Sequence, residues 1–310
     1  MSKLGEASTL KRAGFSDRQR LLPIIHLAVQ CTVWYLLRVG PGAQTHRLVA
    51  ASRILARDAG KLRFTPPVRY VYNPLIYARA PHESYLARFA DAPKRVVFVG
   101  MNPGPWGIAQ TGVPFGEVSA VRDWLQVSGP VGAPEDAHPR VAVRGFDCAR
   151  SEVSGRRLWG LFKEAFGSVE RFAADTFVSN YCPLMFLDDA GKNITPDRIG
   201  RQDQAALFPL CDRFLSILID VLRPEWLIGV GKFAEQRLRA VLEKYPDTKI
   251  RVTTITHPSP ANPRAQKDWA GQVRATLEKE GVWTRKRGER RAEASLRGMD
   301  TIPSAEDNWP

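Results

Sequence analysis

Apolar and polar residues alternate in blocks along the middle of the chain. Short apolar runs rich in β-branched residues, bounded by Pro or Gly, predict buried strands at 95–100, 175–180, 226–230 and 249–256. Apolar residues at helical spacing predict helices at 156–166, 205–222, 233–245 and 269–279. Because strands that alternate with helices build parallel sheets covered on both faces, we predict a three-layer α/β/α fold with a central, mostly parallel sheet.

The two ends of the chain lack this alternation. We expect one domain at 44–284, an N-terminal extension of unknown role at 1–43 and a tail at 285–310. The tail begins with a basic run, then turns acidic, and has little apolar content. Such a composition predicts a disordered, solvated segment that could also tether nucleic acid.

One apolar run lies inside the N-terminal extension, at 21–37. Its length would suit a signal-peptide core or a short membrane span. However, Pro23, His26 and Gln30 interrupt it, and no clear cleavage site follows. We therefore expect a docked helix or a poorly ordered extension, and no membrane partner.

Composition narrows the class of protein. Of 310 residues, 44% are hydrophobic and 25% are charged, which excludes a largely disordered chain, a collagen-like fibre and a multi-span membrane protein. The formal net charge of +13 favours an anionic partner, with nucleic acid or an acidic membrane surface as the leading classes.

Cysteine and histidine spacing gives no sign of a metal site. The chain has four cysteines, none in a C-x-x-C pair, and five scattered histidines. We expect buried thiols in a reducing compartment, and no metal or other cofactor.

Three polar loops follow predicted strands, at the edge where α/β folds bind ligands. The first, at 100–118, reads GMNPGPWGIAQTGVPFGEV and contains Asn102 and Phe115. Its glycines permit close backbone approach to a ligand and its prolines stiffen the loop. The same residue types also occur in ordinary turns, with Phe115 in the core, so this loop alone does not decide between the two.

The second and third loops carry an amide and an imidazole. Asn180 ends the strand at 175–180, where it could present one donor and one acceptor to a ligand or could satisfy its own turn. The third loop, at 257–269, reads HPSPANPRAQKDW and mounts His257 between stiff flanks. Its basic residues suit phosphate contact, and Trp269 suits either insertion against bases or the start of the next helix.

These three segments resemble the single-strand-selective monofunctional uracil-DNA glycosylases. The first and third loops are similar to the two long motifs of that family, and FVSNYCPLMFL lies between them as the base-recognising segment does. The segments at 68–78, 148–162 and 229–238 are similar to family segments in the same order. The resemblance covers about 44–284 and implies a uracil-DNA glycosylase-like fold.

The resemblance also implies roles for individual residues. Asn102 would orient the attacking water, and His257 would donate a hydrogen bond to the departing uracil. Asn180 would recognise the edge of the base and Phe115 would stack on it. The backbone around Met101 and Gly104 would line the C5 side of the base. These implied residues are all present here.

The third loop would contact DNA and enter the duplex. The resemblance assigns this role to Pro258, Ser259, Pro260, Ala261, Arg264 and Lys267. Vertebrate members have Arg where this chain has Ala261, so duplex opening is expected to be weaker or to rely on the two basic residues. Trp106 replaces the usual Phe and preserves an aromatic shape.

The implied activity is excision of uracil, and of 5-hydroxymethyluracil and related 5-modified uracils, from single- and double-stranded DNA. The product would be an abasic site without strand cleavage, because the motifs contain no Lys suited to Schiff-base attack. We expect a monomer, in the bacterial cytoplasm with the nucleoid, or in the nucleus of a eukaryote.

Three alternatives stay open on sequence. One is a glycosylase mainly for deaminated purines, such as hypoxanthine or xanthine, or for mismatched bases. Another is a catalytically weak protein that binds damaged DNA. The third, a nucleotide-binding hydrolase, is disfavoured because the Gly-rich loop lacks the G-x-x-x-x-G-K-[ST] pattern, and Pro103 and Pro105 remove N–H donors.

Overall fold

The structure is a computed structural model that describes residues 43–284. The segments at 1–42 and 285–310 lie outside the described residues, and with them the apolar run at 21–37 and the basic-to-acidic tail. No helix within the described range is long and apolar enough to cross a membrane.

The described residues contain seven strands in two sheets. In chain order they are β1 (Tyr70–Tyr72), β2 (Val96–Gly100), β3 (Thr176–Asn180), β4 (Met185–Leu187), β5 (Asn193–Ile194), β6 (Trp226–Val230) and β7 (Arg251–Ile255). A four-stranded sheet has the order β3-β2-β6-β7, and all its neighbours are parallel. The predicted strands are confirmed to within two residues at each end.

A second, three-stranded sheet was not predicted. It has the order β1-β4-β5, and its neighbours are antiparallel. These strands have three residues or fewer, which is too short to display a two-residue period. Two of its strands, β4 and β5, follow β3 directly in the chain, whereas β1 precedes β2.

Helices cover both faces of the parallel sheet, as the alternating pattern predicted. In chain order they are α1 (Ala43–Gly60), α2 (Pro74–Tyr77), α3 (Arg79–Phe89), α4 (Ile108–Thr111), α5 (Val153–Phe166), α6 (Val169–Asp175), α7 (Arg201–Leu222), α8 (Lys232–Leu242) and α9 (Trp269–Lys279). The four predicted helices correspond to α5, α7, α8 and α9. Two of them begin three or four residues earlier than predicted, because their first turns are polar and carry no apolar period.

The hydrophobic core packs against β2, one of the two inner strands, whose five residues are all buried. The Phe98 ring of β2 lies 5.0 Å from the Phe162 ring of α5, and Phe162 lies 5.1 Å from Phe172. Trp159 joins this cluster, and its indole Nε1 donates to the carbonyl of Phe115 at 2.9 Å. The core therefore supports the first polar loop directly.

Truncation of the central strand's aromatic side chain should destabilise the whole fold. Phe98→Ala removes a fully buried ring, and we expect the free energy of unfolding to fall by about 3–5 kcal/mol. Ile54→Ala is the control, because Ile54 is 42% exposed and its truncation should cost little. Urea unfolding of the two variants measures the difference, and equal losses would contradict this packing.

Candidate active site

A cavity of about 350 Å³ lies at the edge of the parallel sheet where its strands end. Its lining comes from five regions of the sequence: the loop after β2, the start of α5, the end of β3, the segment at β5 and the loop after β7. A larger groove of about 500 Å³ lies beside β1, and none of the predicted site residues line it in the described chain. The smaller cavity is therefore the candidate active site.

Seven of the predicted residues line this cavity: Met101, Asn102, Gly104, Phe115, Asn180, His257 and Ser259. The others assigned to the third loop lie outside it. Pro258 is buried, whereas Pro260, Ala261, Arg264 and Lys267 are exposed on the loop surface. The structure thus separates a pocket from an adjoining exposed loop.

Gly100, at the end of β2, allows two of these side chains to approach each other. It is paired in the parallel register with Asn180. A Cβ atom on Gly100 would lie 2.6 Å from Cε2 of Phe115 and closer still to Oδ1 of Asn180. Any larger residue would therefore displace the amide or the ring from the cavity wall.

Phe115 is held by the core in an unusual backbone conformation. Its φ of 52° lies in the left-handed region, which is costly for a bulky residue. Its carbonyl accepts hydrogen bonds from the Trp159 indole at 2.9 Å and from the Glu117 amide at 2.7 Å. These bonds fix the ring, whose centroid lies 6.2 Å from that of His257.

The protonation state of His257 follows from its surroundings. The backbone N–H of Ser259 donates to Nδ1 at 3.1 Å, so the proton of the neutral ring is on Nε2. Loss of contact with water lowers the pKa of His257 to about 4. At neutral pH the ring is therefore an uncharged donor.

The amide of Asn102 is anchored beside the end of β2. Its Nδ2 atom donates to the carbonyls of Pro103 and Leu184, at 3.4 Å in each case. The amide nitrogen is thereby committed to protein carbonyls. Its Oδ1 atom takes part in neither of these bonds.

Glu152 is a cavity residue that the sequence analysis missed. It precedes α5, and its Oε2 atom is enclosed without a hydrogen-bond partner. Burial, together with the nearby Glu117, raises the pKa of Glu152 to about 7. Its carboxyl group lies so close to Gly104 and Gly107 that a Cβ on either would collide with it. The segment at 148–162 was noted for its resemblance, but nothing in it distinguished this carboxylate from an exposed one.

Asn193, Thr195 and Ser154 also line the cavity unexpectedly. Asn193 donates from Nδ2 to the Pro103 carbonyl at 3.4 Å, while its Oδ1 has no partner. It lies in the two-residue strand β5, which gave no sequence pattern. The enclosed oxygens of Glu152, Asn180 and Asn193 all lack partners, so the pocket wall favours a ligand that donates hydrogen bonds.

The expectation that Trp269 could insert against bases is wrong. Trp269 begins α9 and is 3% exposed, and its indole donates to the Thr256 carbonyl at 2.7 Å. Trp269 therefore starts the next helix, as the alternative interpretation held, and its side chain belongs to the core. Trp106 is half-buried on the first loop, with the guanidinium of Arg150 4.3 Å from its ring centroid.

This geometry can be compared with that of known families. A sequence model of the uracil DNA glycosylase superfamily matches residues 87–279, which include every loop of the cavity. The chain belongs to this superfamily. The resemblance first noted in the loop motifs is therefore confirmed.

Curated relatives in the superfamily are similar over most of the chain. The single-strand selective monofunctional uracil DNA glycosylase of Mus musculus is 43% identical over 228 residues, which are 74% of this chain and 81% of that protein. The protein of the same name from Bos taurus is 45% identical over 222 residues, 72% of this chain and 81% of that protein.

A solved structure of the wild-type SMUG2 protein of Pedobacter heparinus has a similar fold. The TM-score is 0.52 at 17% identity, and the match covers 75% of this chain and 99% of that one. The superfamily fold, a parallel sheet between helices, is the three-layer α/β/α architecture predicted from the sequence. Among residues 43–284 no group of three or more His, Cys, Asp or Glu side chains is placed to hold a metal ion.

The enclosed carboxyl of Glu152 should make stability depend on pH. The folded-state pKa of about 7 exceeds the reference value of 4.5, so the wild type should lose stability as pH rises between these values. Glu152→Gln removes that loss, and we expect it to raise the free energy of unfolding by up to about 3 kcal/mol at pH 8. At pH 4, where both side chains are neutral, the two proteins should be equally stable.

Urea unfolding at the two pH values measures this difference. If Glu152→Gln raised the free energy of unfolding equally at pH 4 and pH 8, or lowered it at pH 8, Glu152 would not be an enclosed carboxyl of raised pKa.

Proposed function

We propose that this chain is a monofunctional uracil-DNA glycosylase that hydrolyses the N-glycosidic bond of a flipped uracil and leaves an abasic site. The observation that carries the proposal is the neutral imidazole of His257, with its proton on Nε2, in one cavity with Phe115 and Asn180. The membership of the superfamily and the two glycosylases of high similarity support it. The base must leave the duplex to reach such a cavity.

Asn180 is proposed to select uracil by its hydrogen-bonding edge. Uracil presents the N3–H donor beside the O4 acceptor. The partnerless Oδ1 of Asn180 would accept from N3–H, and its Nδ2 would donate to O4. Cytosine presents the opposite pattern, so the same amide would reject it. Phe115, fixed by the Trp159 indole, would stack on the ring.

His257 is proposed to stabilise the departing base. As the glycosidic bond breaks, negative charge develops on the uracil oxygen nearest the sugar. A rigidly held N–H donor at this point stabilises the transition state more than the ground state. A neutral imidazole fits this role because its charge does not have to be desolvated beside the leaving group. The uracil would leave as an anion, hydrogen-bonded to Nε2.

Asn102 is proposed to orient the attacking water through Oδ1. An amide is too weak a base to remove a proton from water early in the reaction. The bond to the base would therefore break largely before water adds to the sugar. Most of the lowering of the activation barrier would therefore come from stabilisation of the departing uracil by His257.

We further propose that uracils with a small hydroxyl-bearing group at C5, such as 5-hydroxymethyluracil, are substrates. Gly104 was assigned to the C5 side of the base, and the carboxyl of Glu152 touches Gly104. Oε1 of this carboxyl is the oxygen nearest Gly104, whereas the enclosed Oε2, which lacks a donor, lies against Gly107. Uracil alone supplies no donor to this carboxyl. A hydroxyl on the base, or a water beside unmodified uracil, would provide it.

DNA is proposed to bind over the exposed part of the third loop. Arg264 and Lys267 are exposed there, next to the cavity mouth at Ser259. The net charge of +13 supports contacts to phosphate. Ala261 is exposed at the tip of this loop and is too small to fill a vacated base position. We infer that the protein excises uracil faster from single-stranded DNA than from duplex DNA.

Removal of either proposed catalytic group should abolish most excision without loss of DNA binding. We expect His257→Ala to lower kcat by about 10²–10³, the usual cost of a lost transition-state donor. Asn102→Ala should also lose most activity, because the water loses its acceptor. Single-turnover excision and fluorescence anisotropy with a uracil oligonucleotide measure the two properties. Wild-type rates in both variants would contradict these roles.

A change in the amide of Asn180 should weaken selection of uracil. In Asn180→Asp the carboxylate cannot donate to O4 and would repel it. We expect kcat/KM for uracil to fall by about 10- to 100-fold, the range typical of a lost hydrogen bond beside a charge. Discrimination against cytosine should narrow, because the carboxylate can accept from its amino group. Unchanged discrimination would contradict the proposed recognition.

The proposed function is tested with end-labelled oligonucleotides that carry one uracil, 5-hydroxymethyluracil or hypoxanthine, single-stranded and paired, with EDTA present. Half of each sample is then treated with hot alkali. Breaks at uracil that appear only after alkali are expected. Breaks before alkali would show a lyase, hypoxanthine alone would favour the purine alternative, and binding without breaks would favour a damage-binding protein.

A further inference from the structure

A half-buried arginine holds the loop that carries His257. Arg157 lies on α5, and its Nη1 atom donates to the carbonyl oxygen of Pro258 at 2.8 Å. The ion pairs of the described chain, such as Arg95 with Asp175, do not include Arg157. Its positive charge is therefore directed at this carbonyl and is not neutralised by a carboxylate.

The carbonyl of Pro258 and the N–H of Ser259 belong to the same peptide group. That N–H donates to Nδ1 of His257 at 3.1 Å. Because the peptide group is a single resonance system, a cation on its oxygen strengthens its N–H as a donor. A chain of two hydrogen bonds thus runs from the guanidinium, through one peptide, to the imidazole.

We propose that Arg157 is a positioning residue for excision, which acts through the Pro258–Ser259 peptide to hold His257 as the Nε2–H tautomer aimed into the cavity. The Ser259 N–H can donate to Nδ1 only while the peptide group keeps its orientation. Arg157 donates a hydrogen bond to the Pro258 carbonyl oxygen of the same peptide group. Pro258 is buried beside it. The activity readout rests on the proposed glycosylase function, whereas the tautomer readout does not.

The chain offers a matched control one residue away. Arg156 is on the same helix and carries the same charge, but it is exposed, and its guanidinium donates to the Ser151 hydroxyl at 3.2 Å and not to Pro258. Arg156→Gln therefore removes an equal charge from the same surface without removing the bond to the Pro258 carbonyl. Arg157→Gln removes the charge and the bond to Pro258, and Arg157→Lys keeps a cation that can still reach the carbonyl.

Two measurements on the full-length protein test the proposal. In single-turnover excision of uracil from single-stranded DNA, Arg157→Gln should lower kcat about tenfold or more with little change in KM. Arg157→Lys should recover most of the loss, and Arg156→Gln should stay near wild type. In ¹⁵N NMR of the histidine ring at neutral pH, wild type and Arg156→Gln should show the proton on Nε2, whereas Arg157→Gln should show a mixture of tautomers.

Several outcomes would overturn the proposal. A raised KM with unchanged kcat would make Arg157 a phosphate contact, and equal losses in Arg156→Gln would make the effect one of general charge. An unchanged tautomer in Arg157→Gln would refute the peptide link even if activity fell. If Arg157→Gln does not fold, Arg157→Lys is measured in its place. A wild-type NMR spectrum of Arg157→Lys together with a large loss of kcat would contradict the proposal. If the wild type excises no uracil, the proposed function fails, and the NMR comparison still tests the tautomer.

Discussion

The site depends on close packing at the end of one strand. β2 is an inner strand of a parallel sheet, and its last residue, Gly100, is in register with Asn180 on β3. With no side chain at Gly100, the Asn180 amide and the Phe115 ring meet where a Cβ would otherwise lie. Because the strands are parallel, the loop after β7 begins at the same edge and brings His257 to the same cavity. Parallel pairing is therefore what gathers groups separated by about half of the chain.

A single helix then fixes these groups in position. Three side chains at or just before the first turns of α5 reach three segments around the cavity. Glu152 touches the Gly104 backbone, Arg157 bonds the Pro258 carbonyl and Trp159 bonds the Phe115 carbonyl. Since α5 also packs its Phe162 ring on the central strand, the pocket is tied to the most buried part of the protein. This explains how a pocket made of loops can hold an imidazole and an aromatic ring rigidly.

Much of the fold could be predicted, because strands such as β2 and helices such as α8 carry clear apolar patterns and sharp Gly or Pro boundaries. The small sheet could not, since its strands are shorter than two full periods. At the site, Asn102, Asn180 and His257 could be proposed from the sequence because each lies at or just after the end of a predicted strand, in a recognisable motif.

Other site residues had no such signal. Glu152 precedes a helix, where a carboxylate is commonplace, and only the fold places it against Gly104 and Gly107, 48 and 45 positions earlier, with a raised pKa. For Trp269 the sequence suggested a functional role that the structure does not support. An aromatic residue in a basic loop suggested contact with bases, whereas Trp269 is buried in the core. The position of a residue in the sequence predicts which helix, strand or loop carries its side chain. Which neighbours enclose that side chain depends on how the elements pack.

The central claim is that three loops form one uracil-binding pocket. It is tested most directly by titrating free uracil into ¹⁵N-labelled protein and following the backbone amides of Gly104, Asn180 and Ser259 by NMR. The account predicts that all three signals move together along one binding curve, and that cytosine at the same concentration moves none of them. Movement of a single loop, separate curves for the three amides, or an equal response to cytosine would contradict it.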